Sequence, residues 1–131
     1  MRELILDASV VGRWFGPSAD PGGAVLRADF EAGRLAVTVP RLLFLEILNV
    51  AGRQWRWPET RLLELVSRLA DARFEVVDPD MSRVAVWTAC GLTAYDATYV
   101  ALAEDRGVPL VTNDGEILAV AAGIARPVTA R

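Results

Sequence analysis

The stretch LTAYDATYVALAEDRGVPLVTND, residues 92–114, holds the unit that decides the fold. Ala97, Val100 and Ala101 recur at the spacing of one helical face, and Gly107 closes that helix as a C′ glycine does. Pro109 to Thr112 then reads as a short buried strand, and the acid Asp114 follows it. Working outward, the same alternation recurs along the chain. Strands are predicted at Glu3–Leu6, Leu35–Val39, Phe74–Val77 and Pro109–Thr112, with an edge strand at Ala125–Val128. A helix begins at Ser9–Phe15, and others are predicted over 21–32, 41–53, 59–72, 80–90, 94–106 and 115–122. In residues 21–32 Val25, Ala28 and Ala32 carry the helical spacing, and in 59–72 Leu62, Leu63, Val66 and Leu69 share one side. Strands separated by helices pair in parallel through right-handed crossovers, which predicts an α/β domain with helices on both faces of a small sheet.

At 131 residues and 53% hydrophobic the chain is expected to form one domain, 1–131. That length buries roughly two-thirds of the unfolded surface. No apolar run approaches the ~20 residues of a membrane span. Glu3 and Asp7 interrupt the N-terminal hydrophobic run, so no export signal is expected, and the protein is expected to be cytoplasmic, with no membrane partner. The single cysteine, Cys90, is expected to be a small core residue.

Two absences narrow the chemistry. There is no histidine, which excludes Ser-His-Asp and Cys-His machinery, and all 14 basic residues are arginine, which excludes a P-loop lysine or a lysine base. Catalysis in this chain has to run on carboxylates, hydroxyls, arginines or a bound metal.

Four acids stand out. In a parallel α/β fold, ligands bind beyond the carboxyl ends of the strands. Asp7 directly follows the first strand, Asp114 follows the fourth, and Asp96 opens a helix. Asp96 admits two readings. With Thr93 it forms the pattern of a capping box, in which Thr93 accepts from the N–H of residue 96 and the Asp96 carboxylate reaches back to residue 93. It is also placed for chemistry at the mouth of the sheet. Glu46 lies within Leu42-Leu43-Phe44-Leu45-Glu46-Ile47-Leu48, where no cap explains it. A charge in such a setting costs several kcal/mol, by rough estimate, unless paired or metal-bound. Asn49, three residues on, is expected to donate to it, and Arg41 or Arg53 is an alternative ion-pair partner.

Clustered carboxylates need a counter-charge, and oxygen-rich sites suit Mg²⁺ or Mn²⁺. Such an ion supplies a nucleophilic water without histidine or lysine, so metal-assisted phosphodiester hydrolysis fits. The net charge of −3 is explained by these acids: without the four, 14 basic residues face 13 acidic ones. Arg13, Arg34, Arg53, Arg56 and Arg61 are candidates for phosphate contact or for ordinary solvated surface.

These residues resemble a known family. Asp7-Ala8-Ser9 after a strand, Glu46 in an apolar helix, Leu92 to Ala97 followed by Tyr99 to Ala103, and Val111-Thr112-Asn113-Asp114 look like the PIN-domain nucleases, whose small members are VapC-type toxins of prokaryotic toxin–antitoxin systems. The resemblance runs through nearly the whole chain. It implies a three-layer α/β/α sandwich with a small, mainly parallel sheet, and a metal-dependent endoribonuclease acting on tRNA or rRNA. It also implies a VapB-type antitoxin partner and a homodimer. Asp7, Glu46, Asp96 and Asp114 match the family's catalytic, metal-binding quartet, with Ser9 and Thr112 in support. Glu116 either assists at Asp114 or complements a helix dipole. Asn113 departs from the small residue common at its position.

Two other readings compete with the nuclease. A receiver or aspartate-dependent phosphatase also has an acidic magnesium pocket, but normally uses a lysine. A catalytically idle PIN-like binding module is opposed by the four intact acids. Trp14, Phe15, Trp55 and Trp57 are read as core or as partner-contact residues, and less readily as base-stacking ones.

Overall fold

The computed structural model describes residues 2–17 and 20–129. Five strands, β1 (Arg2–Leu6), β2 (Leu35–Val39), β3 (Glu75–Val76), β4 (Leu110–Thr112) and β5 (Ala125–Pro127), form one sheet in the order β3-β2-β1-β4-β5. Every pairing is parallel: Ile5 faces Thr38 of β2 and Leu110 of β4, and Val111 pairs with Arg126. The helices are α1 (Ala8–Phe15), α2 (Pro21–Glu31), α3 (Leu42–Arg53), α4 (Glu59–Asp71), α5 (Met81–Ala89), α6 (Ala94–Arg106) and α7 (Gly115–Val120).

The strand order fixes the layers. From β1 the chain steps through β2 to β3 on one side, then returns to β4 and β5 on the other. Right-handed crossovers therefore put α1–α4 on one face and α5–α7 on the opposite face, giving an α/β/α sandwich. Contacts of α1 with α2 and α3, of α3 with α4, and of α5 with α6 agree with that division.

The central strands are buried on both faces, as Leu4, Ile5, Leu6, Val37, Val39 and Leu110 show, which is why they read as continuous apolar runs. An aromatic cluster closes the amino end of the sheet. Phe30 stacks on Phe74 with ring centroids 5.0 Å apart, and Trp14 lies 5.7 Å from Phe30. Trp14 is therefore core, and Phe15, Trp55 and Trp57 are partly buried against the core.

Several expectations are corrected. α2 buries Gly22, Gly23 and Leu26, while Val25, Ala28 and Ala32 are exposed: its inner face is the one whose glycines let it approach the fold closely. α4 buries Leu65 and Leu69 and exposes Leu63 and Val66. Cys90 is exposed, because α5 is a surface helix that buries only Val84, and Cys90 sits past its last turn. β3 is shorter than its apolar pattern, and both of its residues are exposed at the sheet edge.

Two glycines show opposite constraints. Gly12 is helical and buried, and a Cβ there would come no closer than 4.0 Å to Ile47. Gly107 ends α6 in the left-handed region with φ 66°. Gly12→Ala should raise stability by roughly 0.5–1 kcal/mol. Gly107→Ala should lower it by roughly 1–2 kcal/mol. Urea midpoints moving in the same direction for both would contradict this account.

Candidate active site

β1 is central, and the chain reverses its direction of progress across the sheet between β1 and β4. The carboxyl ends of these two strands frame the switch-point crevice where α/β folds place ligands. Asp7 leaves β1 there with only 4% of its surface exposed. Ser9 Oγ donates to Asp7 Oδ1 at 2.5 Å, and Thr112 Oγ1 donates to Oδ2 at 2.5 Å, so both oxygens are held by neutral hydroxyls. The same hydroxyls accept from the loop beyond β4. Asn113 N–H donates to Ser9 Oγ (2.9 Å) and Asp114 N–H to Thr112 Oγ1 (2.9 Å). Asn113 also ties its side-chain amide to the Ser9 carbonyl at 3.2 Å, which gives the departure from a small residue a structural use.

Asp114 is the N-cap of α7: its Oδ1 accepts from the N–H groups of Glu116 (2.9 Å) and Ile117 (3.1 Å). Asp96 behaves differently. Thr93 caps α6, accepting from Asp96 N–H at 3.1 Å, and no return bond from the Asp96 carboxylate exists among the described residues. Only half of the capping box forms, which leaves the Asp96 carboxylate available at the first turn of α6.

Glu46 reaches the same end of the sheet from α3. Its partner is not Asn49, which is exposed and makes no bond to it, but Tyr99 of α6, whose hydroxyl donates to Glu46 Oε1 at 2.5 Å. Arg41 instead pairs with Asp78 at 3.7 Å. Leu45, its neighbour, is 67% exposed, so α3 is apolar without being wholly buried. Tyr99 is the site residue that sequence reasoning missed. The signal was its place one turn after Asp96 on the same helix face, but its partner lies on another helix.

The electrostatics tie these acids together. Burial pushes the Asp7 carboxyl above the usual carboxylate range, with the Asp114 charge adding to the rise against the two hydroxyls. Burial likewise raises Glu46, helped by Asp7 and Asp96 and opposed by Tyr99. Asp96 is raised by burial and then by Asp114, Asp7 and the exposed Glu116, so Glu116 contributes charge from the rim. Burial and Glu46 together push the Tyr99 hydroxyl far upward, so it stays a donor. Among the described residues no arginine stands within ion-pair distance of Asp7, Glu46, Asp96 or Asp114. Of the arginine candidates, Arg34 pairs with Asp29 at 3.1 Å and Arg61 lies 3.9 Å over the Trp57 ring, while Arg13 lines a cavity between α1 and α3.

This donor set fits a hard divalent cation, since it is all oxygen, mutually repelling and without a counter-charge. Among the described residues no three acids are gathered to grip an ion by themselves. Mg²⁺ is characteristically held by one or two carboxylates, waters and substrate phosphate, so the set suits that mode rather than a closed protein cage.

Fold and crevice define a class, the parallel α/β/α domain with an acidic cleft at its switch point. Residues 4–123 match the PIN domain, and the chain belongs to that family. Among solved structures it is similar to PAE2754 from Pyrobaculum aerophilum (TM-score 0.70, 27% identity, covering 97% of this chain and 90% of that one). It is also similar to VapC20 of Mycobacterium tuberculosis, a sarcin–ricin loop cleaving toxin (TM-score 0.66, 19% identity, 92% and 95% covered). VapBC2 from Rickettsia felis, bound to a promoter DNA fragment, shares the fold at TM-score 0.68 and 12% identity, with 97% and 99% covered. No curated protein matches the chain.

A carboxyl whose folded pKa lies above its unfolded one binds more protons when folded, so stability grows as pH falls through that interval. Asp7, Glu46 and Asp96 all act in this sense, whereas Glu3 and Glu104, held low by Arg106 and Trp87 hydrogen bonds respectively, lose stabilisation only below the ordinary carboxylate range. Metal-free protein should therefore melt at a higher temperature at about pH 5 than at pH 7. Asp7→Asn should raise the neutral-pH melting temperature and flatten the profile. A Tm that falls steadily from neutral pH would sink this assignment.

Proposed function

We propose that the protein is a metal-dependent endoribonuclease of the VapC toxin type, hydrolysing RNA phosphodiester bonds at the crevice and neutralised by a VapB-type antitoxin. The observation that carries the reading is the set of electrostatically coupled carboxylates at the switch point with no arginine ion-paired to them among the described residues. PIN family membership and the likeness to a toxin that cleaves the sarcin–ricin loop support it, and the VapBC2 complex supports an antitoxin as partner.

Asp7, Asp96, Asp114 and Glu46 would hold Mg²⁺ or Mn²⁺, which supplies charge stabilisation at a phosphoryl oxygen and lowers the pKa of a bound water. The chain's own residues set the geometry. Ser9 and Thr112 fix both Asp7 oxygens, so that carboxylate cannot turn away when the site is empty of substrate. Asp114 is fixed by the first N–H groups of α7. Tyr99 occupies Glu46 Oε1 and so leaves Oε2 as the oxygen that would face the ion. Phosphate charge is balanced by the ion and by surface arginines, which reconciles an acidic chain with an RNA substrate.

Antitoxin-free protein should cut RNA with Mg²⁺ or Mn²⁺, and Asp96→Asn should abolish cutting without lowering the neutral-pH melting temperature of metal-free protein, because Thr93 rather than Asp96 caps α6 and the Asp96 charge is itself a cost in the folded state. Full activity in EDTA, or in Asp96→Asn, would remove the reading. Tyr99→Phe releases Glu46 without emptying the core and should cost about 10–100-fold in activity, as loss of a residue orienting a metal-site group does. An unchanged rate in folded Tyr99→Phe would show that Glu46 needs no such positioning.

A further inference from the structure

Beside the crevice, between α1 and α3, lies a cavity of about 340 Å³. We infer that it seats the nucleotide next to the scissile phosphate and reads its base; this rests on the ribonuclease reading above. Ser9 belongs to both places. Its Oγ donates to Asp7 and its side of α1 lines the cavity, so a chain whose phosphate sits at the acids delivers its neighbouring nucleoside there.

The lining suits that occupant. The chain has 17 acidic residues, yet none lines this cavity, and its one charged side chain is Arg13. Ile47 and Val50 supply apolar wall, and Trp55 supplies a flat aromatic surface of the kind on which any base stacks. The Trp55 ring is braced: a Cβ built on Gly16 would come within 2.3 Å of the ring, and the Trp57 ring lies 5.0 Å away. Arg56, between the two tryptophans, adopts φ 59°, a left-handed conformation unusual for a non-glycine residue and characteristic of positions held by their surroundings. Gln54 adds recognition. Its backbone N–H is spent on the Val50 carbonyl at 2.8 Å, while its side-chain amide makes no hydrogen bond among the described residues. Its NH₂ donors and carbonyl acceptor lie side by side, which matches the edge of an unpaired base. The volume lies at the lower end of the roughly 300–1,000 Å³ of small-ligand sites, enough for one nucleotide and not for a duplex.

The test uses a pool of single-stranded RNAs with randomised sequence, cut by the full chain with Mn²⁺, with cleavage ends sequenced. Wild type should prefer one base at a position flanking the cut. Gln54→Ala should weaken that preference by about fivefold or more. Trp55→Ala should raise KM for all sequences while kcat is retained, and Trp55→Phe should restore KM. Gly16→Ala, which displaces the ring without removing it, should resemble Trp55→Ala. A second readout needs no cleavage: in metal-free protein, nucleoside 5′-monophosphates should shift the Trp55 indole N–H resonance, assigned by its loss in Trp55→Phe. Unchanged preference and KM in folded variants, or variants that lose only antitoxin binding, would overturn the inference in favour of a protein-docking pocket. Absence of the resonance shift would overturn it too. A wild type that cuts no RNA defeats the functional reading, and the titration then decides the cavity separately.

Discussion

A carboxylate taken out of water at the junction of β1 and β4 is the constraint on which the rest of this molecule depends. Asp7 is almost fully buried, and its two oxygens are satisfied by hydroxyls instead of by an opposite charge. Hydroxyls reduce the cost of burial without removing it, since an uncompensated buried charge costs several kcal/mol, roughly, even when hydrogen-bonded in part. The same two hydroxyls also accept the N–H groups of Asn113 and Asp114. The loop after β4 is thus pinned by the groups that hold Asp7, and the positions of two acids are coupled through Ser9 and Thr112. A substitution at either hydroxyl would disturb both strand ends at once.

Topology supplies the other acids. The chain leaves β1 in one direction, returns past it to β4, and so brings α3 and α6 from opposite layers to the same carboxyl edge. The Glu46–Tyr99 bond joins those two helices across the mouth of the sheet. Crowding like charges here opposes folding, and the apolar strands buried on both faces of the sheet offset it. Gathering like charges at one end of the sheet is the arrangement expected where site chemistry is kept at some cost in stability.

Much of the fold was legible because the elements are short and cleanly punctuated. Gly107 in the left-handed region, Thr93 as cap and the apolar strands all behave as their local chemistry dictates. The acids at strand ends were legible for the same reason: a parallel sheet fixes where its carboxyl ends lie. What could not be read were faces and partners. α2 has apolar residues at one helical spacing and glycines at another, and close approach to the fold selected the glycine face. Cys90 lies in an apolar run, but α5 packs mainly on α6 and leaves that run at the surface. Asn49 and Tyr99 are both chemically able to donate to Glu46. Sequence spacing favoured the first, and the meeting of α3 with α6, which no local pattern encodes, selected the second.

Capping and chemistry at the helix starts also separate in a way that spacing alone hides. Asp96 and Asp114 each open a helix, and each fits the dipole there. At α6 the threonine three residues earlier takes the capping bond, which leaves the Asp96 carboxylate free of backbone partners. At α7 the preceding Thr112 takes the Asp114 N–H, but Asp114 is itself the cap and spends one oxygen on two N–H groups. Two acids that look equivalent in sequence therefore have different freedom. The Asp96 carboxylate makes no backbone hydrogen bond among the described residues, whereas Asp114 presents one oxygen from a fixed direction. The crevice therefore combines a rigid, a less constrained and a buried carboxylate on backbone that the strand ends and caps have already fixed.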